Sequence, residues 1–182
     1  MAAPALRHIG WVGAATLAAA AIIALAAHGR RPDPGLVRFQ AAGVMAEVPP
    51  ERVSEVVVSQ GARRWRFART GGNAWTSAEA KSPLDEETRA RLESGLHFLH
   101  VSAAQRVMAR EELSGTPLAD LGLDPPRFIV SVRAGGAEPI TVEFGGLNPQ
   151  GLARYARVRG RSEIVLLPSF VGAPWEHVLG GP

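Results

Sequence analysis

Glu93, His97 and His100 have the spacing that comes closest to a metal site in this sequence. They lie at positions i, i+4 and i+7, so on a helix two imidazoles and a carboxylate share one face. The same face borders a stripe of leucines, where partly buried polar residues are common, and no further ligand is near in sequence. We therefore expect neither a metal nor another cofactor, and this triad remains the weaker metal alternative.

The arginines fall into two groups. The first comprises Arg63, Arg64, Arg66 and Arg69, and the second comprises Arg154, Arg157, Arg159 and Arg161. In a continuous strand Arg157, Arg159 and Arg161 share a face. Such faces are commonly just solvated, but they also suit an acidic partner surface or an anionic lipid headgroup. Our candidate contact residues for a partner or an anion are Arg154, Tyr155, Arg157, Arg159 and Arg161.

The most easily recognised catalytic signatures are absent from the sequence. There is no Gly-x-Ser-x-Gly elbow, no His-Glu-x-x-His and no Gly-Lys-Ser/Thr after a glycine loop. The glycine-rich stretch from Gly145 to Gly151 follows a predicted strand without an evident helix behind it, which favours a plain loop over a phosphate cradle. The lack of cysteine removes thiolate nucleophiles, thiolate metal sites and disulfides. We therefore expect a protein that is not an enzyme.

Length and charge limit the architecture and the partners. With 182 residues, of which 46% are apolar, the chain supports one domain with a core plus one extra segment. The 20 basic and 17 acidic residues give a formal net charge of +3, and the two signs are interspersed through most of the domain. This distribution argues against nucleic-acid binding.

The first half of the predicted domain begins with a β-hairpin. Residues 53–59 are rich in β-branched residues, and residues 64–69 alternate in polarity, which places Trp65 and Phe67 on the buried face of the hairpin. A glycine turn then leads to a short third strand around Trp75.

One main helix is predicted between two groups of strands. Asp85 or Ser82 caps this helix, three leucines at i, i+4 and i+7 form its apolar stripe, and it runs to about His100. Residues 118–126 form a short helical turn stopped by two prolines. Further strands follow at 128–133, 140–144, 154–158 and 164–167. The pattern indicates an antiparallel α+β domain. The two strand groups are faintly similar, which is not enough to predict a repeat.

The N-terminal segment is predicted to be a transmembrane anchor. Residues 9–27 are uncharged and would form about 28 Å of helix, which is just enough to cross a bilayer. A cleaved signal peptide is the alternative. The predicted organisation is an anchor or signal peptide at 1–28, a linker at 29–47 and an α+β domain at 48–182. The arginines that follow the span would by themselves place the domain inside the cytoplasm.

The stretch from Leu118 to Pro126, with its Gly-Leu-Asp-x-Pro element, resembles a family of bacterial domains of unknown function. These domains occur in membrane-tethered envelope proteins and near gliding-motility-type ABC-transporter auxiliary subunits. The resemblance covers most of residues 48–170 and includes Trp75, Arg106-Val107, residues 140–145, residues 149–151 and residues 154–157. The closing strand at 164–167 lacks the tyrosine that is frequent in the family, and this chain carries one copy where many relatives are longer.

The resemblance implies an extracytoplasmic domain with an N-terminal anchor and no known enzymatic activity. It therefore favours a single-pass protein of the inner membrane whose soluble domain lies in the periplasm or outside. The expected partners are the membrane and other envelope or membrane proteins, including ABC-transporter-associated ones. The expected function is protein–protein contact in an envelope complex, or a role as its accessory factor. The alternative is a module that binds an anionic small ligand or lipid headgroup through the arginine-rich strand faces.

Overall fold

The computed structural model describes residues 17–22, 24, 43–113 and 115–180, with only the backbone of Arg110. The chain divides into two compact units, residues 1–39 and residues 40–182. In the first unit the described residues are helical and exposed. The predicted span at 9–27 lies mostly outside the described residues. Among those that are described, no helix combines the length and the apolar character that a membrane crossing requires.

The second unit is built on one antiparallel sheet of nine strands. They are β1 (Val53–Gln60), β2 (Arg63–Gly71), β3 (Ala74–Ser77), β4 (Ser82–Pro83), β5 (Arg106–Met108), β6 (Phe128–Ala134), β7 (Ile140–Leu147), β8 (Ala153–Val158) and β9 (Ile164–Pro168). Their order across the sheet is β4-β3-β2-β1-β6-β7-β8-β9-β5. All eight neighbouring pairs are antiparallel. The predicted α+β class with an antiparallel sheet is confirmed.

The strand order shows that the second unit consists of two similar halves. In each half, four consecutive strands form a meander, and a helix follows: β1 to β4 precede α1 (Glu86–Val101), and β6 to β9 precede α2 (Ser169–Gly180). The meanders meet at their first strands, because β1 pairs with β6 in the middle of the sheet. The faint similarity of the two strand groups in sequence therefore corresponds to a repeated arrangement in the structure.

The prediction of one main helix was wrong, because α2 is a second one. Its sequence contains Gly172 and an interior proline, Pro174, and each of these residues lowers helix propensity. Burial of Val171, Trp175 and neighbouring side chains against the sheet and α1 outweighs that penalty. The predicted first helix is confirmed: Asp85 is its N-cap, and the carboxylate accepts a hydrogen bond from the Thr88 amide at 2.8 Å.

The main core lies between one face of the sheet and the two helices. Valines from the central strands pack there with the leucine stripe of α1 and with Trp175 of α2. Gly95 allows the helices to approach, since a Cβ atom at this position would lie 2.6 Å from the Trp175 ring. A turn at residues 43–48, part of which falls in the predicted linker, covers the end of α1: the Gly43 amide donates to the His100 carbonyl at 3.0 Å.

A second, smaller core lies on the opposite face of the sheet, under the segment that connects β5 to β6. Its buried members are Met108, Leu121, Leu123 and Ile164, and Leu113, Leu118, Tyr155 and Leu166 pack against them. Residues 118–126 were predicted to be a short helical turn, but they form successive turns without a helix. The whole connection from β5 to β6, residues 109–113 and 115–127 as described, therefore covers β8 and β9. We call it the cover segment.

Two glycines explain how the cover segment docks on the sheet: Gly122 of the Gly-Leu-Asp-x-Pro region and Gly145 of β7. Gly122 has a left-handed backbone with φ of +65°, and a Cβ atom there would lie 2.7 Å from the Gly146 nitrogen. A Cβ atom on Gly145 would lie only 2.3 Å from the Leu121 carbonyl oxygen. This closeness allows the Gly146 amide to donate to the same carbonyl at 2.8 Å.

Candidate functional site

Two of the predicted contact arginines converge on one carboxylate. Glu143 on β7 lies opposite Arg157 on β8 and is buried. Arg157 donates from Nε and Nη2 to Glu143 Oε2 at 2.9 and 2.6 Å. Arg159 donates from Nη2 to Glu143 Oε1 at 3.0 Å. Each carboxylate oxygen therefore has its own arginine, and the three side chains form a fixed charged cluster.

The two arginines determine the ionisation of Glu143. Burial would raise the pKa of the carboxyl, but the hydrogen bonds from Arg157 and Arg159 and their positive charges together outweigh burial. The pKa of Glu143 therefore lies below its usual range, and the group is ionised at neutral pH. The cluster of one anion and two cations keeps one net positive charge at the sheet surface.

Arg161 lies beyond the end of β8, and it is close to the charged cluster because it lines the same groove as Arg157. β8 ends at Val158, and the Arg161 amide donates back to the Val158 carbonyl at 3.0 Å in the turn to β9. Arg157 and Arg161 both line a groove of about 550 Å³ between this turn and the cover segment. The other lining residues are Glu111, Leu113, Thr116, Leu118, Ser162 and Ile164. We call this cavity the arginine groove.

Arg154 and Tyr155 do not join the charged cluster. Arg154 is buried on the helix side of the sheet, where it donates to the Gly145 carbonyl at 2.8 Å and forms an ion pair with Glu176 of α2 at 2.5 Å. Tyr155 is partly buried and packs against the second core. The predicted set of five is thus divided: Arg157, Arg159 and Arg161 lie together, Tyr155 supports the cover beneath them, and Arg154 anchors α2 to the sheet.

The metal alternative at Glu93, His97 and His100 is not formed in the structure. Glu93 accepts a hydrogen bond from Trp75 Nε1 at 2.7 Å and forms an ion pair with Arg69 at 2.9 Å. His100 Nδ1 lies 3.2 Å from the Met45 carbonyl oxygen, and His97 is exposed. Among the described residues, no three His, Cys, Asp or Glu side chains are grouped so as to hold a metal.

Two members of the first arginine group and the glycine-rich loop make local contacts. Arg66 forms an ion pair with Glu55 at 3.4 Å, and Arg69 forms one with Glu93 at 2.9 Å. In the loop, Asn148 Oδ1 accepts hydrogen bonds from the amides of Leu152 and Ala153, each at 3.0 Å. These amides are consequently not free to bind a phosphate.

A further surface, which the sequence did not reveal, is an apolar patch formed by the exposed Val101, Leu152 and Phe170 and the half-buried Phe98. The rings of Phe98 and Phe170 meet edge to face with centroids 5.2 Å apart, and Val101 lies one turn after Phe98 on α1. The Leu152 carbonyl accepts from the Ser169 amide at 3.0 Å, which holds Leu152 beside the start of α2. Leu152 is 68% exposed, Phe170 50% and Val101 42%.

The patch was missed because its members come from three separate segments. None of these segments carries an apolar run that is unusual by itself, and only the contact between the end of α1 and the start of α2 joins them. The i, i+3 spacing of Phe98 and Val101, just outside the leucine stripe, was the one available signal.

Comparison with protein-family models, with curated proteins and with solved structures found no match to this chain.

Proposed function

We propose that this protein is a non-enzymatic, membrane-anchored extracytoplasmic domain that acts by protein–protein contact in a bacterial envelope complex, and that the apolar patch is its contact surface. The observation that carries this proposal is the contact of Phe98 with Phe170, which joins the end of α1, where Val101 is exposed, to the start of α2, where Phe170 and Leu152 are exposed. Contiguous exposed apolar side chains are typical of surfaces that bind another protein.

Two features of the sequence support the anchored, extracytoplasmic part of the proposal. The uncharged stretch at 9–27 has the length of a membrane span. The Gly-Leu-Asp-x-Pro region resembles domains of membrane-tethered envelope proteins. A reporter fused after Pro182 that is active only when exported tests the side of the membrane, and activity of a cytoplasm-only reporter would reverse the assignment.

The chemistry of the patch indicates what kind of partner fits it. Two aromatic rings with adjacent aliphatic side chains provide a rigid apolar centre, which is the composition that the centres of protein interfaces favour. The charged cluster around Glu143 is less suited to drive such contact, because both of its arginines already have a carboxylate partner. We therefore infer an envelope or membrane protein with a complementary apolar surface.

The test is affinity purification of the full chain from solubilised membranes, with identification of the proteins that co-purify. Changing Phe170 and Leu152 together to Ser should abolish recovery of the partner, since both side chains are exposed and contribute apolar area to the interface. Val107→Ser is the matched control, because Val107 is 56% exposed but lies on β5, the edge strand of the sheet, and not on the segments that form the patch. Unchanged recovery with the double variant, folded as judged by its melting temperature, would refute the patch as the contact surface.

A further inference from the structure

The arginine groove has the two-sided character of a site for an amphiphile. Leu113, Leu118 and Ile164 form an apolar side that continues into the second core. Arg157, Arg161, Thr116 and Ser162 form the polar side. A volume of about 550 Å³ falls within the range of small-molecule sites.

The arginines of the groove differ in how they are held. Glu143 binds the Nε and Nη2 edge of Arg157, which fixes the guanidinium plane and leaves Nη1 without a hydrogen-bond partner among the described residues. Arg161 is exposed and makes no ion pair within the described part of the chain. The guanidinium of Arg157 is therefore pre-oriented, which lowers the entropic cost of binding an anion. The guanidinium of Arg161 is available as a second charged donor.

We propose that the arginine groove binds an anionic amphiphile, with a single carboxylate or phosphate head held by Arg157 and Arg161. The hydroxyls of Thr116 and Ser162 supply neutral donors, and a short apolar chain lies over Leu113, Leu118 and Ile164. Glu111 lines the same groove and would repel a second anionic group beside the head, so the groove favours a ligand with one anionic group. This inference goes beyond the proposed function and does not depend on the apolar patch.

The ligand series tests whether both sides of the groove are used. The full chain in nanodiscs of zwitterionic lipid is titrated by calorimetry with hexyl phosphate, hexanoate, hexanol and inorganic phosphate. Hexyl phosphate and hexanoate should bind more tightly than either inorganic phosphate or hexanol, because each of the latter engages one side only. Their affinity should fall as salt is added, since the arginines are partly exposed. Equal binding of hexyl phosphate and inorganic phosphate would overturn the proposal.

Arg161→Gln tests the groove more directly than a change of Arg157 would, since it removes a charge without disturbing the Glu143 cluster. It should weaken hexyl phosphate binding by about tenfold, the loss expected for one charged hydrogen-bond donor. Arg64→Gln is the matched control, because Arg64 is also exposed and lies on β2, away from the groove. Unaltered binding by Arg161→Gln would contradict the proposal, and the unfolding midpoints of both variants should match that of the parent.

A comparison of lipids distinguishes a membrane lipid from a free ligand as the source of the anion. The full chain in nanodiscs of phosphatidylcholine is compared with the full chain in nanodiscs that also contain phosphatidylglycerol, and each is titrated with hexyl phosphate. Weaker binding in the presence of phosphatidylglycerol, by a larger factor in the parent than in Arg161→Gln, supports the proposal with a lipid headgroup as ligand, because the lipid competes for the groove. Equal binding in both kinds of nanodisc supports it with a soluble ligand.

Discussion

Glu143 is the residue on which the polar face of the second half depends. It is buried on a sheet surface and forms ion pairs with two arginines, one from the neighbouring strand and one from the turn that follows. Removal of a buried carboxylate leaves its cationic partners without compensation, and this usually costs more than the pair contributes in the intact protein. The cluster therefore couples the stability of β7 and β8 to the charge of one side chain.

We predict that Glu143→Gln lowers the free energy of unfolding at neutral pH by about 1–3 kcal/mol, because Arg157 and Arg159 lose an ionised partner. Because the pKa of Glu143 is depressed in the folded protein, its contribution is complete above the usual value of 4.5 and is lost as the pH falls through the lower folded value. Urea titrations at several pH values measure both effects.

The control for this prediction is Glu138→Gln, which changes an exposed carboxylate in the turn before β7. Its free energy of unfolding should stay within about 0.5 kcal/mol of the parent. A difference between Glu143→Gln and the parent that persisted unchanged into strong acid would argue against ionisation of Glu143 as the cause.

Sequence alone placed Arg157, Arg159 and Arg161 together, but it could not supply the partner of the first two. That partner is set by the cross-strand register of β7 and β8, which depends on the intervening turn and on the bulge between Phe144 and Leu147. Replacement of all three arginines would therefore disturb stability as well as binding. For this reason Arg161 alone is the informative position.

At the level of elements, the cover segment is fixed to the sheet by a close backbone contact as well as by its leucines. Gly145 and Gly122 remove the side chains that would keep the two backbones apart. The Leu121 carbonyl then accepts its hydrogen bond from β7, and Leu121 and Leu123 are buried on β8 and β9. The Gly-Leu-Asp-x-Pro element thus has a structural explanation that requires no catalytic role.

We predict that Gly145→Ala destabilises the fold and that Gly146→Ala does not, although the two residues are adjacent. A Cβ atom on Gly145 would lie 2.3 Å from backbone oxygen, so the cover must shift and the free energy of unfolding should fall by about 1–3 kcal/mol. A Cβ atom on Gly146 would meet nothing nearer than 3.6 Å, so this substitution should change stability little. Denaturant unfolding of both variants measures the difference, and equal losses would contradict the docking geometry.

The elements were predictable to the extent that their signals were local. The hairpin around Trp65 and Phe67 and the helix capped by Asp85 follow from alternation and spacing, and the structure confirms them. Helix α2 and strands β4 and β5 lacked such signals: the strands are three residues or shorter, and α2 contains Pro174. These elements form because of tertiary contacts, and such contacts cannot be recognised in a short stretch of sequence.

At the scale of the whole molecule, our proposal assigns the uncharged stretch at 9–27 the role of a membrane anchor. We predict that the protein fractionates with membranes and resists alkaline carbonate extraction, because an uncharged segment of this length would be stable in hydrocarbon as a helix. Immunoblotting of the pellet and supernatant measures this. A soluble product that begins near Ala27 or His28 would instead indicate a cleaved signal peptide.

The meeting of the two halves at β1 and β6 has a consequence for how the chain is made. Ser54 of β1 donates to the Arg133 carbonyl of β6, and the two residues are 79 positions apart. At a synthesis rate of about 5–20 residues per second, β6 appears about 4–16 s after β1. Throughout that interval one edge of β1 is unpaired and able to pair with other nascent chains. Slower translation between α1 and β6 is therefore expected to increase aggregation, although every contact of the finished protein is unchanged.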